Sequence, residues 1–284
     1  MLEDRVPIAA RWSLYALGTV EGQRVKRPRD PVAAWLLRRH PQLLPSFAAP
    51  SVLAMIRAST AVVDRMIEDE VARARALGER LAYHGFGCGF DARWYRLTRE
   101  MRDVVRHHVE IDEPDVMTLK DRLLSVSTFA EAWSDIRREG TAHGDWAVRA
   151  PDTERPLVVM DGAPARLGAD ALEALLGRIR DQAPRAHVIV DLPGFVTPDP
   201  VHPEHALGAA AADRLAPELG GRTRWTALRG TAAFALSSAR LAALGWTAVE
   251  DARFAARPEL RAPSGLVMCP GVDAHRALRL HPRP

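Results

Sequence analysis

The amino-acid sequence predicts an α/β fold: a largely parallel sheet covered by helices on both faces and preceded by a helical extension. Three observations predict it. Apolar-rich runs at 81–86, 104–111, 157–162 and 187–193 have the character of strands buried on both faces. Segments with a 3.6-residue apolar period separate them, the alternation expected of βα units. Three alternating glycines, Gly85, Gly87 and Gly89, close the first run. A strand–glycine loop–helix unit is a common cradle for a nucleotide-like cofactor, because backbone without a Cβ can turn tightly and approach a ligand.

The elements follow in order. Residues 1–78 read as a helical extension, a layer able to cover a cofactor or shape a substrate pocket, and 79–284 as the core. Asp30-Pro31 starts one helix, with proline in the first turn where its missing N–H costs nothing. Pro50-Ser51 opens a longer one, with Val63, Ile67, Val71 and Ala74 on one face and Gly78 at its end. Leu81–Phe86 is the first strand and Val104–Ile111 the second. Pro114–Leu124 is a helix, Phe129–Arg138 is expected to be another, and Thr141–Trp146 to hold a short third strand. Strand Leu157–Gly162, helix Ala169–Arg180 and strand His187–Pro193 come next, with Leu172, Leu175, Leu176 and Ile179 on the helix face. Residues 193–206 carry four prolines with His202 and His205, and read as a loop over the carboxyl ends of the strands, where ligand crevices lie. Ser237–Leu244 is a helix closed by Gly245. Trp246–Phe254 and Gly265–Cys269 are expected to form a terminal antiparallel pair. One domain with a helical extension is the reading.

Composition excludes several classes. The chain has 284 residues, 47% hydrophobic and 26% charged, with a net charge of +3; these are ordinary values for a globular protein. Its pI of about 9.2 comes from arginine, and no concentrated basic stripe with aromatics points to nucleic acid. No apolar run approaches the ~20 residues of a membrane span. The N-terminus lacks the basic-then-apolar order of a signal peptide, so a cytoplasmic protein is expected. Cys88 and Cys269 are too far apart for a metal or redox motif. His202 and His205 mimic a metal pair, but Pro203 interrupts any helix between them and no third ligand is legible, so no metal is read.

Two cofactors compete for the glycine loop. Gly87-Cys88-Gly89-Phe90-Asp91-Ala92 fits the dinucleotide pattern G-x-G-x-x-A, and about twenty residues on a second strand ends in Glu110 and Asp112, where a ribose would be held. A pyrophosphate, however, prefers a helix N-terminus without a carboxylate beside it. Asp91 stands there. S-adenosylmethionine carries an ammonium and a sulfonium and no phosphate, so the charge argument favours it over NAD.

The run Phe86-Gly-Cys-Gly-Phe-Asp91-Ala-Arg93-Trp-Tyr-Arg96-Leu97 resembles the L-G-x-G-x-D-T-R-x-x-R-L motif of the leucine carboxyl methyltransferase family, with bacterial polyketide O-methyltransferases of the tetracenomycin type looking closest. Glu110-Ile-Asp112-Glu-Pro114-Asp-Val116 with Lys120 is similar to that family's E-V-D-x-P-x-V…K segment, and Leu241-Ala-Ala-Leu-Gly245-Trp246 to its L-x-x-x-G-W. The resemblance implies a class I methyltransferase, Rossmann-like, with seven strands in the order 3-2-1-4-5-7-6 and an antiparallel last strand. It also implies cofactor contacts at Gly87, Cys88, Gly89, Asp112 (or Glu110), Asp145, Trp146, Asp161 and Gly162. The family's R-T-x-x-x-D is Ser59-Thr60-Ala-Val-Val-Asp64 here, leaving Arg57 as the substitute partner for the donor's carboxylate. The family's glutamate is Asp161 and its tyrosine is Arg166, which could orient an acidic substrate; His202 and His205 are candidate bases. Cys88 reads as a packed residue rather than a nucleophile, and His84 as a buried, hydrogen-bonded histidine. The expected function is methyl transfer from S-adenosyl-L-methionine, giving S-adenosyl-L-homocysteine, to a carboxylate or phenol of a small natural product. A cofactor-binding protein with lost or changed chemistry, and carboxyl methylation of a protein C-terminus, are the alternatives.

Overall fold

The computed structural model describes residues 8–19, 30–44, 50–96, 99–129, 135–161, 167, 169–192, 238–253 and 276–283. Three helices precede the sheet: α1 (Ile8–Gly18), α2 (Pro31–Arg39) and the long α3 (Pro50–Ala76). The sheet and its crossovers follow as β1 (Arg80–Phe86), α4 (Arg93–Arg96), α5 (Arg99–Val104), β2 (Val105–Asp112), α6 (Pro114–Leu124), β3 (Arg137–Gly140), β4 (Glu154–Met160), α7 (Ala169–Gln182), β5 (His187–Leu192), α8 (Ser238–Ala243), β6 (Trp246–Arg253) and β7 (Arg276–Pro282). The strand order is β3-β2-β1-β4-β5-β7-β6, with β1 to β5 parallel and β7 antiparallel to both neighbours. That is the expected sheet.

Strand periodicity divides the core in two. Leu157 and Val159 of β4 point with Leu81, Tyr83 and Ile189 toward α3, while Val158 and Met160 point with Val188 and Val190 toward α7. The stripe Val63, Ile67, Val71 and Ala74 of α3 lies in the first core, and Leu172, Leu175, Leu176 and Ile179 of α7 in the second, all of them buried. Burying one such Val, Leu or Ile side chain contributes about 1.5–3 kcal/mol. The N-terminal helices therefore share one sheet face with α4, α5 and α6. Asp30 caps α2: its Oδ1 accepts from the backbone N–H of Val32 at 2.9 Å and of Ala33 at 3.0 Å, with Pro31 at the first helical position. Among the described residues no helix is long and apolar enough to cross a membrane.

Three expectations are corrected. The third strand is Arg137–Gly140, not a segment of Thr141–Trp146, where residues His143–Asp145 instead form a 3₁₀ turn. The same strand overwrites the end of the helix expected over Phe129–Arg138. Its charge hid it: an edge strand tolerates Arg137, Arg138 and Glu139 because one side faces solvent. The last strand is Arg276–Pro282, whereas Gly265–Cys269 lies outside the described residues. It carries Arg276, Arg279 and His281, yet lies between β5 and β6, because acids on α3 and β6 pair with those side chains.

Gly140 ends β3 against the start of α6, where a Cβ would stand 2.9 Å from Pro114 Cα. Backbone cannot yield as a side-chain tip can, so Gly140→Ala is expected to destabilise the fold by about 1–3 kcal/mol, read as a lower urea midpoint with unchanged slope.

Candidate active site

The carboxyl ends of β1, β2 and β3 meet around the glycine loop. Gly87 and Gly89 have φ of 63° and 52°, the left-handed region that side chains with a Cβ resist. Gly87 N–H donates to Ile111 O at 2.8 Å, and Thr141 N–H to Asp112 O at 2.9 Å. Asp112 is fully buried; its carboxylate accepts from the backbone N–H of Gly89 at 2.6 Å and of Glu113 at 2.8 Å. The acid expected at the ribose thus also holds the loop in place. A carboxylate has about four acceptor sites, so the two roles are compatible.

Glu110, the alternative to Asp112 as the ribose contact, is committed to a buried ion pair. It is buried, and its carboxylate accepts from Lys120 Nζ at 2.8 Å, beneath the loop. Lys120 donates again to Asp91 O at 2.7 Å and lies 3.8 Å from Cys88 Sγ. Burial alone would raise the Glu110 carboxyl; Lys120 overcomes it and holds the pKa below the ordinary value. Burial pushes the Cys88 thiol well above its usual range, consistent with packing and not with a thiolate nucleophile. His84 is buried as expected, with Nδ1 3.1 Å from Ala82 O and Nε2 accepting from Arg149 N–H at 3.2 Å, and burial lowers its pKa.

Beneath the loop runs an ion-pair network that the motif contained but whose roles were not legible. Arg93 bonds Asp64 of α3 at 2.6 Å, Asp91 of the loop at 2.9 Å and Asp161 at the end of β4. Arg96 bonds Asp30 at 2.7 Å, Asp91 at 2.8 Å and Asp64 at 3.0 Å. Both guanidinium groups are almost fully buried. Asp91 is accordingly held at a pKa of about 2: burial raises it, and Arg93, Arg96 and Lys120 more than reverse the effect. The expectation that Asp91 opposes a pyrophosphate does not hold. The Asp91 charge is committed to two arginines and does not by itself repel a pyrophosphate.

The network as a whole keeps a negative excess. Asp30, Asp64, Asp91, Asp161 and Glu110 face the cations Arg93, Arg96 and Lys120. Desolvation leads in raising Asp30, despite Arg96. Asp161 is pushed up to about 6, by burial first and then by Asp191 and Asp91, against the pull of Arg93. In both cases burial, which disfavours the charged form, is the leading cause. Such a site suits a ligand with an ammonium and a sulfonium, and the left-handed glycines give its adenosyl half close backbone, so these residues fit the donor.

The remaining expected residues separate. Arg57 is fully buried on α3, and burial lowers its pKa to about 10. Asp145 is exposed in the 3₁₀ turn after β3. Trp146 is buried, its ring 5.4 Å from Phe86 and its Nε1 donating to Thr141 O at 3.1 Å, so its indole belongs to the core. Gly162, Arg166, His202 and His205 lie outside the described residues.

A seven-stranded sheet in this order, with a glycine loop after β1, is the Rossmann-like fold of S-adenosylmethionine-dependent methyltransferases. A candidate methyltransferase from Thermobifida fusca shares it, at 15% identity over 100% of this chain and 97% of that one, with a TM-score of 0.53. So does a DUF574 family protein from Streptomyces avermitilis, at 14% identity over the full length of both chains and a TM-score of 0.53. No curated protein matches the sequence. The model of the leucine carboxyl methyltransferase family matches residues 22–172, more than half of the chain, and the chain belongs to that family. It is a methyltransferase that uses S-adenosylmethionine. The match takes in α2, α3, the glycine loop, Lys120 and Asp161, and stops before the Leu241–Trp246 segment.

Replacing Lys120 strands a buried carboxylate. Lys120→Met is expected to lose about 3–5 kcal/mol, and Glu110→Gln in the same chain to recover part of it, measured by denaturant unfolding. Asp161 gives a pH signature. Its folded pKa near 6 lies above the unfolded value, so its favourable contribution is complete below about pH 3.9 and is lost as pH rises through about 6. The stability of wild type relative to Asp161→Asn should therefore fall between pH 4 and pH 7. A flat difference across that range would show that Asp161 is not raised.

Proposed function

We propose that this chain methylates a carboxylate oxygen of a small natural product, with a polyketide acid as the model substrate and a phenolic oxygen as the second choice. The observation that carries the reading is the negative excess around the left-handed glycine loop, matched to a donor that bears an ammonium and a sulfonium. The family's description, leucine carboxyl methyltransferase, supports a carboxyl acceptor.

When bound, S-adenosylmethionine supplies a methyl carbon made electrophilic by its sulfonium. The chain's own residues bind and orient. Gly87 and Gly89 offer backbone at close range, Cys88 packs beneath, and Asp112 accepts the ribose hydroxyls while retaining the Gly89 N–H. Arg57, a buried cation on α3, pairs with the donor's carboxylate in place of the arginine that Ser59 lacks. Asp161, with Gly162 after it, receives the ammonium. The backbone of Asp145 and Trp146 borders the adenine. A carboxylate acceptor is already ionised at pH 7, so the protein needs no base; it must align the oxygen with the methyl carbon at roughly 3–3.5 Å. Arg166 is the proposed clamp on that acid, binding it bidentately. For a phenol, His202 or His205 would take the proton.

Calorimetry with S-adenosylmethionine and S-adenosylhomocysteine should show binding to wild type. Gly89→Val places a β-branched residue at φ 52°, and Arg57→Met removes the proposed carboxylate partner; each is expected to weaken binding at least tenfold. Radiolabelled methyl transfer to a panel of aliphatic acids, polyketide acids, phenols and C-terminal peptides then separates the acceptors. Labelling of acids supports the proposal. Binding without any labelling would favour a protein that has lost the chemistry, and labelling of peptides alone would replace the small-molecule reading.

A further inference from the structure

Asp191, the acid near the end of β5, stands beside Asp161. Met160 of β4 pairs in register with Val190 of β5, so Asp161 and Asp191 follow as neighbours at the carboxyl edge, on strands about 4.8 Å apart. The two-residue period turns both to one face. Val159 and Ile189, two residues before each, lie in the core that α3 covers. On that face Arg93 joins Asp161 to Asp64 of α3. Asp191 is buried. The long helix runs against the strands: Asp64 meets the carboxyl edge through Arg93, and Glu70 meets the opposite edge through His187. Arg57, two turns before Asp64 on the same side of α3, therefore stands beyond the carboxyl edge.

We infer that Asp191 is a second carboxylate of the donor's ammonium subsite, and that Asp161 and Asp191 together hold one proton, which they give up to solvent when the ammonium is bound. This rests on Asp161 as the ammonium contact. One acid alone does not suffice there, because Arg93 already takes up charge of Asp161 and repels a second cation. Asp191 restores the balance, so that two acids face two cations. In the empty site two neighbouring carboxylates oppose each other's ionisation. Asp161 is pushed up to about 6, by burial first, with Asp191 and Asp91 adding to it against Arg93. The proton kept on the pair stands in for the ammonium charge, and no bond of the donor is broken in the exchange. Among the described residues, the other charged and titratable groups around the pair are Arg93, Asp64, Asp91 and Arg57, with the Tyr83 hydroxyl 3.5 Å from Arg93. Across from Asp191 on β7 stands Ala277. Arg276 beside it bonds Asp251 at 2.8 Å. Arg279 turns to Glu250 and to Glu70, which His187 and His281 also meet.

The test counts protons on binding of S-adenosylhomocysteine, which keeps the ammonium and transfers nothing. Calorimetry on the full chain in two buffers of different ionisation enthalpy should give about half a proton released per ligand at pH 6 and almost none at pH 7.5. Binding favours the deprotonated pair, so affinity should rise roughly tenfold from pH 5 to pH 7. Methylthioadenosine, which lacks the amino-acid half, should bind with no release and a flat pH profile. Asp191→Asn should weaken S-adenosylhomocysteine at least tenfold at pH 7.5, cut the release at pH 6 by half or more, and leave methylthioadenosine unchanged. Asp191→Ser takes its place if the amide does not fold. Binding of S-adenosylhomocysteine to wild type without release overturns the inference. So does a variant that keeps the wild-type proton count, or one that weakens both ligands alike, as a purely structural role would. Failure of both ligands to bind wild type removes the donor site itself, and this inference with it.

Discussion

Arg93 is the interaction on which the rest of the structure depends. One buried guanidinium ties a carboxylate of the long N-terminal helix, Asp64, to one of the glycine loop, Asp91, and one at the end of β4, Asp161. Arg96, three residues on, adds the Asp30 cap of α2 to the same assembly. Desolvating such charges costs several kcal/mol per ion, and only full pairing recovers it. The return is positional. A helix, a loop and a strand end that are otherwise joined by non-directional apolar contacts are set in register by directed, charge-assisted hydrogen bonds, one from each guanidinium nitrogen.

That constraint explains why the helices ahead of the sheet cannot be a detachable cover. They complete the first hydrophobic core, and their carboxylates neutralise the arginines beneath the loop. Lys120 repeats the device from the other side, linking Glu110 of β2 to the carbonyl of Asp91. The loop is therefore held from above by Asp112 and from below by Lys120 and Arg96. A preorganised loop binds its cofactor without first losing conformational freedom.

Much of the fold was legible because burial writes itself into sequence. The stripes of α3 and α7 and the apolar runs of β1, β4 and β5 fall where the periodicity placed them. The Asp30-Pro31 cap is local chemistry and was equally readable. β3 and β7 were missed because charge hid them: β3 is an edge strand with side chains toward solvent, and the arginines and histidine of β7 are paired by acids of α3 and β6, whereas periodicity reports burial, not pairing. The cofactor was inferred correctly from a charge argument whose centre was misplaced. Asp91 is compensated, and the negative excess belongs to the network around it.

The glycine loop, the acid-tipped second strand and the family motif were determined by the sequence alone, because left-handed turns, strand ends and helix caps depend on neighbours in the chain. Tertiary structure decided which acid does what. Glu110 and Asp112 stand two residues apart on one strand, a spacing that puts their side chains on the same face. Only the position of Lys120 beneath one and of the Gly89 N–H beside the other separates an acid paired with a buried cation from one that holds the glycine loop. The same holds for Glu70, His187 and His281, which converge across more than two hundred residues of chain. No local rule links them; the antiparallel return of β7 does.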